Sequence, residues 1–183
     1  ARAEEFREML LGTFSGEIGQ LTAEAIRSMQ EARESEALAS LQRAEELLAG
    51  IPQEALPPKR REEVDRRLWW GYTKLGVRRV EAADFEAALD PLFHALSFGD
   101  IGPDRQEETR AALVRALEGV SDMRALAIRQ LLDAGDREAA VDEGERLWSL
   151  LRNGMEAGLS QEELSVAFAK TRRLFEALGQ RRD

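Results

Sequence analysis

Between residues 3 and 33 the apolar positions Phe6, Leu10, Phe14, Ile18, Leu21, Ala25 and Met29 fall three and four apart. That spacing is one face of an α-helix. Gly12, Gly16 and Gly19 interrupt it, each at about 1 kcal/mol relative to Ala in a helix interior. The pattern predicts one long or kinked helix over 3–33, whose glycines admit a close neighbour. The same reading gives helices over Glu36–Ala49, Lys59–Ala82, Phe85–Phe98, Asp104–Glu118, Ser121–Ala134 and Arg137–Arg152. A last helix opens at Ser160, where Ser160 and Glu163 have the spacing of a capping box, and runs to Leu178. Gly50 with Pro52, Gly99 with Gly102 and Pro103, and Asn153 with Gly154 and Gly158 punctuate the series as stops and turns.

Composition adds that these helices are not accompanied by a sheet. Ala, Leu, Glu, Arg and Lys supply 103 of the 183 residues, and Val, Ile and Thr only 17. The straight-chain residues and Ala favour helix, the β-branched ones strand. The expected fold class is all-α: about eight helices, joined mostly by short turns into antiparallel hairpins. The length suits a single domain over 1–183. Within it we expect N-terminal helices and a Pro-rich loop over 1–58, a central region over 59–152 and a capping helix over 160–179.

An internal echo refines this picture. Tyr72, Leu75 and Gly76 are followed by Ala88, Leu92 and Ala95, the spacing of a tetratricopeptide repeat. Gly76 and Ala88 are small where two helices must approach, and Leu92 fills the space beside them. Ala37, Leu41 and Ala44 repeat the second-helix half, and Gly135 to Ala140 repeat the turn. The departures are Arg79 where Tyr is usual, Asp100 where Pro is usual, and Gly144 and Leu147 where Leu and Ala are expected. Ala37, Ala88 and Ala140 lie 51 and 52 residues apart, not 34. The chain resembles a tetratricopeptide-like domain with one good repeat and two degenerate ones. The resemblance implies hairpins stacked as a right-handed superhelix that holds a partner peptide or helix in its groove.

Catalytic chemistry is hard to find. The chain has no Cys and one His, His94, so thiol nucleophiles, Cys-ligated zinc and multi-His metal centres are excluded. No phosphate-binding glycine loop and no H-E-x-x-H motif occurs, and paired acids such as Glu45-Glu46 read as solvated helix faces. His94 reads as a core-edge residue, with a catalytic base as the lesser alternative. We expect no enzyme, no metal and no cofactor. The net charge of −9 argues against nucleic acid. No apolar run is long enough to span a membrane. Cytoplasmic placement is the default expectation in the absence of a visible export signal. The start at Ala1 suggests a processed chain or a piece of a larger protein.

One segment opposes the global charge. Lys59 to Val80 holds eight basic residues against three acidic ones, together with Trp69, Trp70 and Tyr72. Arginines suit bidentate capture of carboxylates. In the resemblance reading, Trp70, Thr73 and Val77 face the groove and Arg66 and Arg78 flank it, a setting for an acidic peptide or a C-terminal carboxylate. The competing reading packs a tryptophan under a neighbouring helix and pairs the arginines with nearby acids. A second candidate surface is the stripe Phe6, Leu10, Phe14, Ile18 and Leu21. It could dock internally or, with Gly12 and Gly16 easing close approach, pair two copies as a homodimer.

Overall fold

The structure is a computed structural model that describes residues 2–99 and 101–180. Asp100, the departure from the repeat pattern noted above, lies outside the described residues. Seven α-helices make up the described chain: α1 (Arg2–Gln30), α2 (Glu34–Ala49), α3 (Pro58–Glu81), α4 (Phe85–Leu96), α5 (Pro103–Asp133), α6 (Arg137–Glu156) and α7 (Ser165–Gln180), with a 3-10 turn at Gln53–Ala55. The fold class is all-α, as its composition predicts.

Three expectations change, the first being that Asn153 and Gly154, read with Gly158 as a turn, lie inside α6. The helices expected over Asp104–Glu118 and Ser121–Ala134 are one continuous α5. Gly119, which lies between the two expected helices, is a seat: a Cβ there would lie 2.3 Å from two ring atoms of Phe85. The glycine admits an aromatic ring against the helix backbone and the hydrogen-bond ladder runs on through it. The last helix starts at Ser165, after a turn over 161–164. That turn holds the expected capping box. The Glu163 N–H donates to Ser160 Oγ at 3.1 Å, and the Ser160 N–H donates to Glu163 Oε2 at 2.7 Å.

The 51- and 52-residue spacing is a spacing of helix turns. Ala32, Ala83 and Gly135 each have positive φ, at 59°, 58° and 81°. After each, an N–H reaches back five residues: Arg33 to Ser28 O at 2.7 Å, Asp84 to Arg79 O at 2.8 Å and Asp136 to Leu131 O at 2.9 Å. This is a Schellman closure, in which the reversed residue frees two N–H groups to satisfy carbonyls of the ending helix. Ala37, Ala88 and Ala140 follow, each with no exposed surface. The helix pairs α1–α2, α3–α4 and α5–α6 are thus three hairpins with one turn geometry.

Counting from these turns aligns the hairpins position by position. Ala25 and Leu41 correspond to Gly76 and Leu92, and then to Ile128 and Gly144. All six are buried. In the third hairpin the large and small residues have exchanged helices, which conserves volume at the seam. That exchange accounts for Gly144, an exception in the sequence pattern.

The contacts group into two compact units, Ala1–Leu75 with Phe98–Pro103, and Gly76–Ser97 with Asp104–Asp183. In the first unit α1 packs on α2. Met29, Ala37 and Leu75 form a buried cluster with Ile26, Leu38 and Trp70 against it, and Leu41 seats on Gly71. In the second unit Ala88, Leu89 and Leu92 of α4 join Leu113, Ala116 and Leu117 of α5, together with Leu151, Leu159 and Leu164. Here Leu92 fills the space that a Cβ on Gly76 would take, at 2.3 Å. Pro91 sits inside α4 and has no N–H to offer the Ala87 carbonyl. Arg79 supplies the missing donor, Nη1 to Ala87 O at 2.8 Å. That contact gives a structural role to the Arg that replaces the expected Tyr.

Candidate functional site

The basic helix is α3. Six of its residues from Leu68 to Leu75 are buried: Leu68, Trp69, Gly71, Tyr72, Thr73 and Leu75. A helix apolar on most sides is covered on most sides. Thr73 is 1% exposed and presents nothing to a partner, which corrects its assignment to a groove. Trp70 is half-buried against the Met29, Ala37 and Leu75 cluster, with Lys74 Nζ 5.9 Å from its ring centroid, a cation–π contact. Val77 packs on the core of the second unit. Arg78 is half-buried and Arg66 is exposed.

The surrounding cations are mostly engaged as well. Arg60 Nε donates to Ser15 Oγ at 2.8 Å, and Arg67 pairs with Glu63 at 3.0 Å. Tyr72 stacks on Phe98 with centroids 6.3 Å apart. Burial, and then the Glu45 carboxylate, push the Tyr72 hydroxyl above its ordinary range. A hydroxyl so held stays protonated and acts as a structural donor. Of the five residues expected to form a binding strip, only Arg66 is exposed.

His94 is half-buried on α4, and its carbonyl accepts from Ser97 Oγ at 2.6 Å. Among the described residues no group of three or more His, Asp or Glu is placed to hold a metal ion. Likewise, no described helix is long and apolar enough to cross a membrane. In the second unit an open cleft of about 580 Å³ is lined by α5 and α6 side chains, including Arg124, Asp142, Glu145, Arg146 and Asn153. Arg124 is held by Glu86 at 2.6 Å, and Arg146 by Glu143 at 2.9 Å. The cleft carries both signs and its arginines are paired, so it sets no demand for a ligand of one charge.

The surface that does make a demand is on α1. α1 has 29 residues and its hairpin partner α2 has 16, an overhang of thirteen residues or about 20 Å. From residue 2 to residue 14 every side chain is exposed except Leu11, which is half-exposed. Phe6 is 58% exposed, Met9 60%, Leu10 40% and Phe14 36%. These four share one helical face. The stripe read from the sequence therefore divides. Ile18 is 1% exposed and belongs to the core, whereas Phe6, Leu10 and Phe14 lie outside it. Met9 was missed because the strict three-four series steps over it. Gly12 and Gly16 have nothing within 4 Å of a Cβ position, so they serve no close contact within the chain.

The hairpin alignment shows what this face is. Phe6, Met9, Leu10 and Phe14 correspond to Thr109, Ala112, Leu113 and Leu117 of α5. Those four are 0%, 6%, 0% and 0% exposed. Ala112, Leu113 and Leu117 share one buried cluster with Ala88, Leu89 and Leu92 of α4 and with Leu151, Leu159 and Leu164. α1 thus carries a counterpart of the core face of α5, with larger side chains and without its cover. Compared with known proteins, the chain matches no family model and no curated relative, and its fold matches no solved structure.

Proposed function

We propose that this chain is a non-catalytic protein–protein interaction module whose contact surface is the projecting first half of α1. The observation that carries the reading is the run of exposed apolar side chains Phe6, Met9, Leu10 and Phe14 on a helix overhang. Exposed apolar side chains gathered on one helix face, rimmed by polar residues, mark an interaction site. The partner it fits is a helix with an apolar stripe, because the corresponding face of α5 is covered by a helix, α4, through Ala88, Leu89 and Leu92. Stacking of the hairpins in the tetratricopeptide manner belongs to the same reading. It is supported by the Leu92 side chain seated on Gly76 and by the complete burial of Ala88 and Ala95. The acidic peptide expected on α3 is the weaker reading, since Thr73, Val77 and much of Trp70 are taken up in packing.

The test uses the full chain immobilised as wild type, as Leu10→Glu and as Arg66→Ala, each exposed to the same lysate. A polypeptide retained by wild type and by Arg66→Ala, and lost with Leu10→Glu, is the expected result. Loss with Arg66→Ala alone would move the contact surface to α3 and refute the assignment to α1.

A further inference from the structure

Resting on that reading, we infer that the occupant of the α1 face is the α1 face of a second copy, the two helices packed antiparallel about a two-fold axis near Leu10.

The first argument is symmetry. A two-fold contact requires a self-complementary patch. Phe6 and Phe14 lie four residues before and after Leu10. With Leu10 on Leu10 of the other copy, Phe6 of each helix meets Phe14 of the other. The second argument is charge. At 100° per residue, the two charges near the centre of this face are Arg2 at one end and Glu17 at the other. In the antiparallel register each Arg2 lies beside Glu17 of the other copy. A parallel pair would place Glu17 against Glu17 and Arg2 against Arg2, a repulsion at both ends.

The third argument is fit: in this register residues 2–17 of each copy lie side by side over about 24 Å, and Arg2 of one copy falls opposite residue 18 of the other, where the α1 core begins. On the outer face of α7 Arg172, Arg173 and Glu176 are exposed, with Val166 the one exposed large apolar side chain described there, so that helix does not answer the α1 stripe. A lipid surface is disfavoured too, since Glu4, Glu5 and Glu8 outnumber Arg2 and Arg7 on this segment, the reverse of a helix that lies on anionic lipid. The four exposed side chains, at roughly 200 Å² each when fully exposed, offer on the order of 400 Å² per copy at their observed exposures. Two such faces bury less than a standard interface of about 1,600 Å², so the pair is a weak and reversible one.

The chain contains no cysteine, so single-cysteine variants report on the register without background. Light scattering on the full chain from 5 to 500 μM should show the mass rising from one copy toward two. Leu10→Glu should hold it at one copy over the same range with an unchanged circular dichroism spectrum. Under mild oxidation Leu10→Cys should cross-link to itself. Phe6→Cys and Phe14→Cys should cross-link when mixed, and neither should cross-link alone, because like positions are then about 12 Å apart along the axis. Cross-linking of Phe6→Cys alone and of Phe14→Cys alone would show a parallel pair and overturn the register. A dimer that survives Leu10→Glu would place the interface elsewhere and overturn the proposal. A monomer at 500 μM overturns it as well. In that case, a polypeptide captured by wild type and not by Leu10→Glu leaves the docking surface standing with a different helix on it, and capture of nothing removes both.

Discussion

Gly76→Ala sets two physical effects against each other in one methyl group. Gly76 lies inside α3, and in a helix interior Gly is worse than Ala by about 1 kcal/mol. On that ground alone the substitution stabilises. The structure predicts the opposite sign. A Cβ at this position would sit 2.3 Å from Leu92 Cγ and 2.4 Å from Leu92 Cδ2. Cγ is the branch point of the side chain, so turning a terminal methyl does not relieve the contact. Leu92 has no exposed surface and is enclosed by Ala88, Leu113 and Leu117. Overpacking of this kind costs about 1–3 kcal/mol. Because the contact falls on the branch point of an enclosed side chain, the upper part of that range, about 2–3 kcal/mol, applies; with the helix gain subtracted, the expected net loss is about 1–2 kcal/mol, or roughly 2–8 °C in Tm for a chain of this length. Urea unfolding followed by circular dichroism measures it. The double variant Gly76→Ala with Leu92→Ala should lose less than the sum of the two single changes by about 2–3 kcal/mol, the overpacking relieved when the added methyl enters the cavity left by Leu92. Gly16→Ala is the control: nothing lies within 4 Å of its Cβ position, so it should stabilise by about 0.5–1 kcal/mol. A Gly76→Ala protein as stable as wild type, or more so, would refute the close seating of Leu92.

Two further outcomes are expected. Hydrogen bonds from Arg110, and then from the Ser160 N–H, hold the Glu163 carboxyl down to about 2 from its ordinary value of 4.5. A carboxyl lowered on folding contributes stability above its unfolded value and loses it as the pH falls through the folded one. The stability difference between wild type and Glu163→Gln should therefore be full at pH 7, shrink below about pH 4.5 and vanish near pH 2. A difference constant over that range in urea unfolding would count against the ionic bond. Trp70→Ala should destabilise by about 2 kcal/mol, because the ring packs on Met29, Ala37 and Leu75, while Arg66→Ala should change stability by less than about 0.5 kcal/mol.

Much of the fold was legible along the chain because its signals are local. The periodicity from Phe6 to Met29 specifies a helix whatever surrounds it. Gly50 with Pro52 ends α2, and the spacing of Ser160 and Glu163 is the spacing of two reciprocal hydrogen bonds. The separation of Ala37, Ala88 and Ala140 likewise reflects three turns closed by the same backbone bonds. Gly119 shows where such signals stop. A glycine between two helical stretches reads as a break, and only the Phe85 ring lying on it turns it into a contact. The five residues expected to bind a partner do not form one exposed strip, for a related reason. Thr73 and Val77 are on the helix they were assigned to, but which side of that helix is covered depends on neighbours that no local pattern reports.

The amino-acid sequence by itself determined the helical class, the positions of most turns, the three hairpins and the apolar stripe on α1. Each of these follows from the conformational preferences of residues a few positions apart. Tertiary structure alone decided which parts of a stripe are core and which are surface. Ile18 and Phe14 are equally good members of one periodic face, yet Ile18 is 1% exposed and Phe14 36%. The cause is a difference in length: α2 stops after 16 residues and leaves the beginning of α1 without a neighbour. Burial is a property of pairs of elements, and the free energy of an apolar side chain is set by whether anything arrives to cover it.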